Sequence, residues 1–378
     1  MPPPASVGIA DTSMDIEEPS FHSISALGDL GINVSGTVRR APPVVRRSLL
    51  STLSLTHDHR SPPTSPFPPA RADIKKLETA GILTVEGLSM TLRKNLLAVK
   101  GFSDAKVSKI LLASEKLIDS GATFVTARSI ADERAGLVRI STGSKALDAL
   151  LEGGVETRSV TELCGEFRTG KSQCCHTLAV TAQLPRSEGG GAGKVIWIDT
   201  EGTFRPERIK EIARRYGIEG DDVLDNIMVA HVHNSDQQVA AVKYAAATIV
   251  EDDAPVSLLI IDSIINCFRV DYTGRGELAI RQQTLNKHLN DIKKLANEFN
   301  LAVVITNQVS AKPDSTMSFG PGYSAVGGHI LSHFSTTRLM LRKGRGEQRV
   351  VKVVDSPTIP EGDAIVQITS GGINDVQE

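Results

Sequence analysis

The feature that most constrains the fold of this chain is an eight-residue run at 165–172 with the spacing Gly-x-x-x-x-Gly-Lys-Ser. The run follows a predicted strand at 159–163 and opens a predicted helix at 172–183. Glycines in such a turn let backbone N–H groups wrap phosphates, and the N-terminus of the following helix adds positive potential. We therefore predict a phosphate-binding loop in which Lys171 neutralises the terminal phosphates and Ser172 ligates Mg²⁺. The residues expected to line this loop are Gly165, Glu166, Phe167, Arg168, Thr169, Gly170, Lys171, Ser172 and Gln173.

Beyond residue 136, β-rich segments alternate with helical ones. The further predicted strands are 194–199, 257–262 and 301–306, and the further predicted helices are 206–216, 237–250 and 282–299. This alternation predicts an α/β fold with a mostly parallel, twisted sheet covered by helices. Short apolar runs such as 258–261 are typical of strands buried on both faces. The ligand is expected at the carboxyl ends of the strands.

Three polar side chains follow these strands and are candidates for phosphate chemistry. Asp262 ends an apolar strand, where a carboxylate can hold the hydration shell of Mg²⁺ near Ser172. Glu201 follows the strand at 194–198 and could orient or activate the attacking water. Gln308 carries both a donor and an acceptor and could sense the γ-phosphate. Since no guanine-reading motif is evident, ATP is the expected nucleotide.

The chain divides into five predicted regions. Residues 1–34 form a polar tail and the start of a helical domain, and 35–71 is a Pro/Arg-rich insert without packed structure. Residues 72–120 have the apolar spacing of a small helical domain, in which Gly101 makes a tight turn and Ser103 caps the next helix. Such a helix-hairpin-helix can present N–H groups to DNA phosphates or can be a simple packing corner. A linker follows at 121–135, and the ATPase core occupies 136–378.

The amino-acid composition excludes few classes of function. Lys and Arg total 42 against 44 Asp and Glu, so a nucleic acid would have to meet a local basic surface. The four cysteines lack metal-ligand spacing, which indicates reduced, packed thiols. The chain begins without a basic and then apolar leader, and no stretch has membrane-spanning length, so neither secretion nor membrane insertion is expected.

Two long segments, 269–281 and 310–328, follow core strands and lack helical or alternating patterning. Loops longer than about a dozen residues are usually functional or disordered. Arginines in the first segment could contact a nucleic-acid backbone, and flexible loops could enter between bases. The alternative is that both are plain surface loops.

Together these motifs resemble those of the eukaryotic and archaeal branch of the RecA-like recombinases, from residue 72 almost continuously to the end. Besides the phosphate loop, the resemblance rests on Asp-Thr-Glu-Gly-Thr-Phe-Arg-Pro-Glu-Arg at 199–208, Asp-Tyr-Thr-Gly-Arg-Gly-Glu at 271–277, Thr-Asn-Gln-Val at 306–309 and Leu-Arg-Lys-Gly-Arg-Gly-Glu at 341–347. It implies a RecA-like core, a DNA-dependent ATPase and DNA strand exchange in the nucleus.

The resemblance also implies roles for individual residues. It assigns Glu201, with Lys171 and Gln308, to hydrolysis, Arg208 to the adenine, and Gln308 and His333 to relaying DNA occupancy to the γ-phosphate. The residues that it implies for DNA binding are Arg269, Tyr272, Arg275, Arg281, Pro313 and His333.

Phe124-Val-Thr-Ala127 is similar to the Phe-x-x-Ala polymerisation motif of the family, in which the phenylalanine and alanine insert into the neighbouring core. An aromatic side chain in a linker without its own core is an anchor for a partner. Because a head-to-tail contact is heterologous, it builds helical filaments or closed rings. The alternative is that Phe124 packs within its own chain.

Within the family, residues 264–270, Pro313, 327–331 and 371–373 are more similar to the meiotic members than to the general, mitotic ones, whereas 201–203 are more similar to the general form. The leading hypothesis is therefore a recombinase of meiotic recombination and double-strand break repair that acts on single- and double-stranded DNA with accessory proteins. A general mitotic recombinase, a non-catalytic mediator paralogue and an unrelated helicase are the alternatives.

Two stretches depart from the family pattern. Residues 320–326 stand where the family has an Asp-Pro-Lys-Lys-Pro-type stretch that caps the neighbour's ATP, so the capping contact is in doubt. Residues 35–71 interrupt an otherwise continuous join between 31–34 and 72–76. Our hypothesis is that this insert is a translated intron, which sequencing of the transcript tests.

Overall fold

The computed structural model describes residues 71–117, 124–311 and 323–376. The predictions for residues 1–34, for the insert at 35–71 apart from its last residue, and for Pro313 lie outside the described residues. They stay predictions.

A small helical domain comes first. Its helices are α1 (Arg71–Thr79), α2 (Val85–Ser89), α3 (Arg93–Leu97) and α4 (Asp104–Leu117). Leu77, Leu88 and Val107 are fully buried at its centre. The Ser103 hydroxyl accepts from the Lys106 N–H at 3.3 Å, as a residue that precedes a helix should. Helices thus occupy the region in which the apolar spacing predicts them.

A hydrogen bond from Thr84 joins the helical domain to the core. The Thr84 hydroxyl accepts from the Gly87 N–H at 2.9 Å and donates to the Glu298 carboxylate near the end of a core helix. Burial raises the pKa of Glu298 to about 7, an effect that the nearby Glu86 carboxylate adds to and the hydrogen bond from Thr84 opposes.

The core follows the predicted linker at 121–135, and the second half of that linker is a helix. Helix α5 (Ala127–Ala135) starts where the Thr126 hydroxyl accepts from the Ser129 N–H at 3.2 Å. The remaining core helices are α6 (Lys145–Leu150), α7 (Lys171–Thr181), α8 (Pro206–Arg215), α9 (Gly220–Asp225), α10 (Ser235–Glu251), α11 (Asn266–Asp271), α12 (Leu278–Glu298) and α13 (Gly328–Phe334). The strands are β1 (Arg139–Ile140), β2 (Val155–Glu156), β3 (Val160–Gly165), β4 (Lys194–Asp199), β5 (Ile227–His231), β6 (Val256–Asp262), β7 (Ala302–Ala311), β8 (Tyr323–Ala325), β9 (Thr337–Lys343), β10 (Gln348–Asp355), β11 (Gly362–Thr369) and β12 (Gly372–Asp375).

One large sheet organises the core, in the order β12-β11-β10-β9-β3-β7-β6-β4-β5, with β8 paired to β7. The central pairings, from β9 through β3, β7, β6 and β4 to β5, are parallel. The strands from β9 to β12 pair antiparallel and extend one edge. The predicted α/β class with a mostly parallel core is confirmed.

Two apolar layers cover the faces of the sheet. Trp197 and Leu178 are buried in the layer between the sheet and the side that carries α7 and α8, whereas Phe268 and Leu289 are buried in the layer on the side that carries α10 and α12. The four cysteines are free and buried, as their spacing predicts. None of the described helices is long and apolar enough to cross a membrane.

One element prediction was too broad. The segment 269–281 was predicted to be a loop, but Arg269 lies in α11 and Arg281 lies in α12. Only residues 272–277 separate the two helices, and Gly274 is tied to Glu277 by a 2.9 Å bond from its N–H to the carboxylate. The first turn of α12 was missed because its apolar residues, Leu278 and Ile280, are exposed and form no buried stripe.

Candidate functional site

The phosphate loop joins β3 to α7 and has a backbone that only glycine fits at two positions. Gly170, the residue before α7, has φ +101°. A Cβ at Gly165 would lie 2.6 Å from both the Leu341 carbonyl oxygen and the Thr169 hydroxyl. The Thr169 hydroxyl donates to the Glu166 carbonyl at 2.8 Å and closes the turn. This is a cradle that side chains would fill, which suits a loop that wraps phosphate oxygens.

Lys171 lies within the curve of the loop. Its Nζ donates to the carbonyl oxygens of Gly165 and Glu166, both at 2.9 Å. Burial lowers the pKa of the Lys171 ammonium, and the nearby carboxylates of Asp262 and Glu201 oppose that effect. The ammonium group thus lies inside the loop, and its contact with a terminal phosphate stays a prediction.

Asp262, at the end of β6, is surrounded by hydroxyl groups. Its Oδ2 accepts from the Ser172 hydroxyl at 2.7 Å and from the Thr203 hydroxyl at 2.8 Å, and its Oδ1 accepts from the Thr306 hydroxyl. The predicted pair of Ser172 and Asp262 is therefore brought together. Hard oxygen donors of this kind fit Mg²⁺, which is usually held by one or two protein ligands together with phosphates and water.

Glu201 is held by a turn built around Asp199, whose role the sequence did not reveal. The buried Asp199 carboxylate accepts from the N–H groups of Glu201 at 3.2 Å, Thr203 at 3.1 Å and Phe204 at 3.2 Å. Because three backbone N–H groups bind one carboxylate, the chain folds around Asp199 and Glu201 lies beside the phosphate loop.

Gln308, in β7, contacts Glu201 directly. The Glu201 Oε1 accepts from Gln308 Nε2 at 3.0 Å and from the Ser263 hydroxyl at 2.7 Å. The Gln308 Oε1 in turn accepts from the Arg269 guanidinium at 3.0 Å. Arg269, Gln308 and Glu201 thus form one hydrogen-bonded chain that ends at the expected catalytic carboxylate, which Ser263 also contacts.

His176 is a functional candidate that sequence reasoning missed. It lies one turn beyond Ser172 on α7, with its ring 4.9 Å from that of Trp197. Its Nε2 accepts from the Arg205 N–H at 3.0 Å and its Nδ1 is 2.6 Å from the Ser172 carbonyl oxygen, so the neutral Nδ1–H tautomer satisfies both. Burial lowers the pKa of His176 and favours that neutral form. The ring therefore fixes the turn carrying Glu201 to the helix of the phosphate loop.

Arg208, expected at the adenine, is firmly anchored. Its Nε donates to the Gln173 Oε1 at 2.8 Å, and its terminal nitrogens donate to the carbonyls of Thr369 and Ser370 and to Glu211. It joins α8, α7 and the turn after β11. Its contact with the base stays a prediction.

The described residues that are expected at DNA lie in α11, between α11 and α12, at the start of α12 and in α13. Tyr272 stacks on Phe268 with ring centroids 6.4 Å apart. Arg269 and His333 are exposed and Arg281 is half-buried, while the backbone of Arg275 forms a short 3₁₀ turn. Their contacts with DNA stay predictions.

The polymerisation residues are on the surface of their own chain. Phe124 is 106% exposed, and Ala127, which begins α5, is also exposed. The alternative that Phe124 packs into its own core is wrong.

A third feature that the sequence did not predict is a buried carboxylate beneath the site. Glu162, in β3, is 0% exposed. Its Oε1 accepts from Asn307 Nδ2 at 2.8 Å, and its Oε2 accepts from the Ser335 hydroxyl at 2.6 Å and from Arg338 Nε at 2.8 Å. Asn307 also donates to the Val326 carbonyl at 2.8 Å. The network ties the strand of the phosphate loop to both ends of the second predicted DNA loop.

The chain matches a family model and is similar in sequence to known proteins. The family model described as Rad51 matches residues 133–376. The chain is 53% identical to meiotic recombination protein DMC1 homolog A of Oryza sativa subsp. japonica, over 81% of this chain and 88% of the relative. It is 50% identical to DNA repair protein RAD51 homolog 1 of Arabidopsis thaliana, over 82% and 90%, and 51% identical to the DMC1/LIM15 homolog of Homo sapiens, over 81% and 90%.

Proposed function

Because this chain belongs to the Rad51 family, we propose that it is an ATP-dependent recombinase that assembles on single-stranded DNA, pairs it with homologous duplex and exchanges strands. The observation that carries the proposal is the hydrogen-bonded chain from Arg269 through Gln308 to Glu201, beside the phosphate loop. It joins a segment expected at DNA to the residue expected to activate water. A protein that only clamps ATP has no need of that connection.

The nucleotide would be Mg²⁺·ATP, and different site residues would bind its phosphates, hold the metal ion and activate water. Backbone N–H groups of 165–172 would hold the phosphates, and Lys171 would balance their charge. Ser172 and Asp262 would hold Mg²⁺, which supplies electrostatic stabilisation of the transferring phosphoryl group. Glu201 would orient the attacking water and accept its proton, with Gln308 placed to respond to the γ-phosphate.

Assembly would depend on Phe124 and Ala127, which are exposed just before and at the start of α5. Inserted into the next core, they would make a heterologous contact that repeats along a filament or closes into a ring. The adjoining protomer would then complete the ATP pocket.

We also infer a meiotic role, exercised in the nucleus with recombination accessory proteins. The inference rests on residues 264–270 and 327–331, because the identities to meiotic and general relatives are nearly equal. Deleting the gene should reduce meiotic crossing-over and spare the survival of mitotic cells after DNA breakage. The opposite pattern would indicate the general recombinase.

Joint-molecule formation tests the strand-exchange proposal. Purified protein is incubated with circular single-stranded DNA, homologous linear duplex, Mg²⁺ and ATP. Wild type should form joint molecules, and Lys171→Ala should lower both the yield and ATP hydrolysis at least 100-fold. If the wild type forms no product, or if the variant forms as much product as the wild type, the protein is better explained as a non-catalytic mediator.

A further inference from the structure

Gln308 lies between Arg269 and Glu201 with both ends of its amide engaged. Its oxygen accepts from Arg269, and its nitrogen donates to Glu201, each at 3.0 Å. A flipped amide would place its NH₂ against the guanidinium donor and its oxygen against the carboxylate. Arg269 and Glu201 together fix the orientation of the amide, and the bond from Arg269 restrains Gln308 against Glu201.

The orientation of Gln308 affects Oε1 of Glu201, the residue expected to act as the base. The Glu201 Oε1 accepts from Gln308 Nε2 and also from the Ser263 hydroxyl at 2.7 Å. A carboxylate oxygen has two lone-pair sites, so both are occupied. An oxygen in this state is restrained and has no lone pair left to receive a proton from water.

Arg269, at the outer end of this hydrogen-bonded chain, is accessible to a phosphate that could compete with Gln308 for it. Arg269 is exposed on α11, at the start of the segment 269–281 that is expected to contact DNA. Its present partner is a neutral amide, whereas a phosphate is an anion that a guanidinium can bind through two parallel, charge-paired hydrogen bonds. A phosphate brought to this helix would therefore draw the guanidinium away from Gln308.

We propose that Arg269 is a positioning residue that restrains Glu201 through Gln308 when no nucleic acid is bound, and that a DNA phosphate releases the restraint by taking its guanidinium. The inference rests on the proposed function, since it concerns how DNA controls ATP hydrolysis. It gives Arg269 a role that its expected contact with DNA does not include.

The test compares ATP hydrolysis without DNA in the wild type and in Arg269→Met, which keeps the length of the side chain and removes its donors. Losing a hydrogen bond of typical strength should raise the DNA-independent kcat about three- to tenfold, with the KM for ATP within about twofold of wild type. Stimulation by saturating single-stranded DNA should shrink by the same factor. Arg269→Lys, which retains a donor, should lie between the two.

Two further variants separate this role from other effects. Arg214→Met removes an exposed arginine of α8 and should leave the DNA-independent rate unchanged. In a Gln308→Ala background, Arg269→Met should have no additional effect on that rate, because the link is already broken. A thermal melt of each variant checks that it is folded.

The outcomes distinguish the two proposals. If DNA stimulates the wild type but Arg269→Met hydrolyses ATP without DNA at the wild-type rate or more slowly, this inference is wrong and the recombinase function stands. An equal effect of Arg269→Met with and without Gln308 also contradicts it. If the wild type neither responds to DNA nor forms joint molecules, the proposed function fails and this inference fails with it.

Discussion

Replacing Phe124 with alanine tests whether this side chain serves assembly alone. It is 106% exposed in its own chain, so removing the ring should change the free energy of unfolding of the monomer by less than about 0.5 kcal/mol. In a neighbour's pocket the same ring would be fully buried. Burial of a phenylalanine side chain contributes about 2–3 kcal/mol, which corresponds to a protomer contact weakened about 30- to 150-fold.

Sedimentation velocity with single-stranded DNA and a slowly hydrolysed ATP analogue measures this contact, and thermal unfolding at low concentration measures the monomer. Leu112→Ala is the matched control, because Leu112 is 52% exposed on α4 in the helical domain. It should change neither quantity. A clear loss of monomer stability in Phe124→Ala, or wild-type assembly by that variant, would refute the reasoning.

Three further predictions concern charge and hydroxyl groups. Because the pKa of Glu298 is raised to about 7, folded protein binds more protons than unfolded protein between pH 4.5 and 7, so the free energy of unfolding falls as pH rises through this window. Glu298→Gln should abolish that slope and be up to about 3 kcal/mol more stable at pH 8 in urea melts. Glu162→Ala leaves the buried Arg338 without its carboxylate and should cost about 3–5 kcal/mol in the same assay, with part restored by adding Arg338→Met. Thr306→Val removes a donor to Asp262 and should raise the Mg²⁺ concentration for half-maximal ATP hydrolysis about tenfold, whereas an unchanged Mg²⁺ titration would contradict its role.

The parts of the fold that the sequence predicted are those with local signals. The strand at 194–199 matches β4, because a continuous apolar run bounded by charged residues leaves no alternative period. The positions of Ser172 and Asp262 followed from a rule about strand ends, and the structure brings the two together at 2.7 Å. Strands β10 to β12 were not predicted, because they lie at a partly exposed edge and carry mixed polar and apolar residues.

The parts that could not be predicted depend on partners far away in sequence. Glu162 reads as one polar residue in an apolar strand until Asn307, 145 residues later, and Arg338, 176 residues later, are brought to it. His176 looks like an ordinary helical residue because its partner at one ring nitrogen is a backbone N–H of a distant turn. Because the partners of Glu162 and His176 are distant in sequence, no local spacing of residues indicates either set of contacts.

The Glu162 network explains how a relay through Gln308 could work without moving the sheet. Adjacent residues of a strand point to opposite faces, so Asn307 and Gln308 project in opposite directions from β7. Asn307 is fixed by Glu162 and by the Val326 carbonyl, which holds the strand in place at the base of the second loop. The strand that carries Gln308 is therefore held in place, and among the described residues its half-buried side chain is hydrogen-bonded to Arg269 and Glu201. If the Arg269 guanidinium left Gln308 to bind a DNA phosphate, the Gln308 side chain alone would therefore reorient. The parallel strands that lead to Lys171 and Asp262 would keep their register.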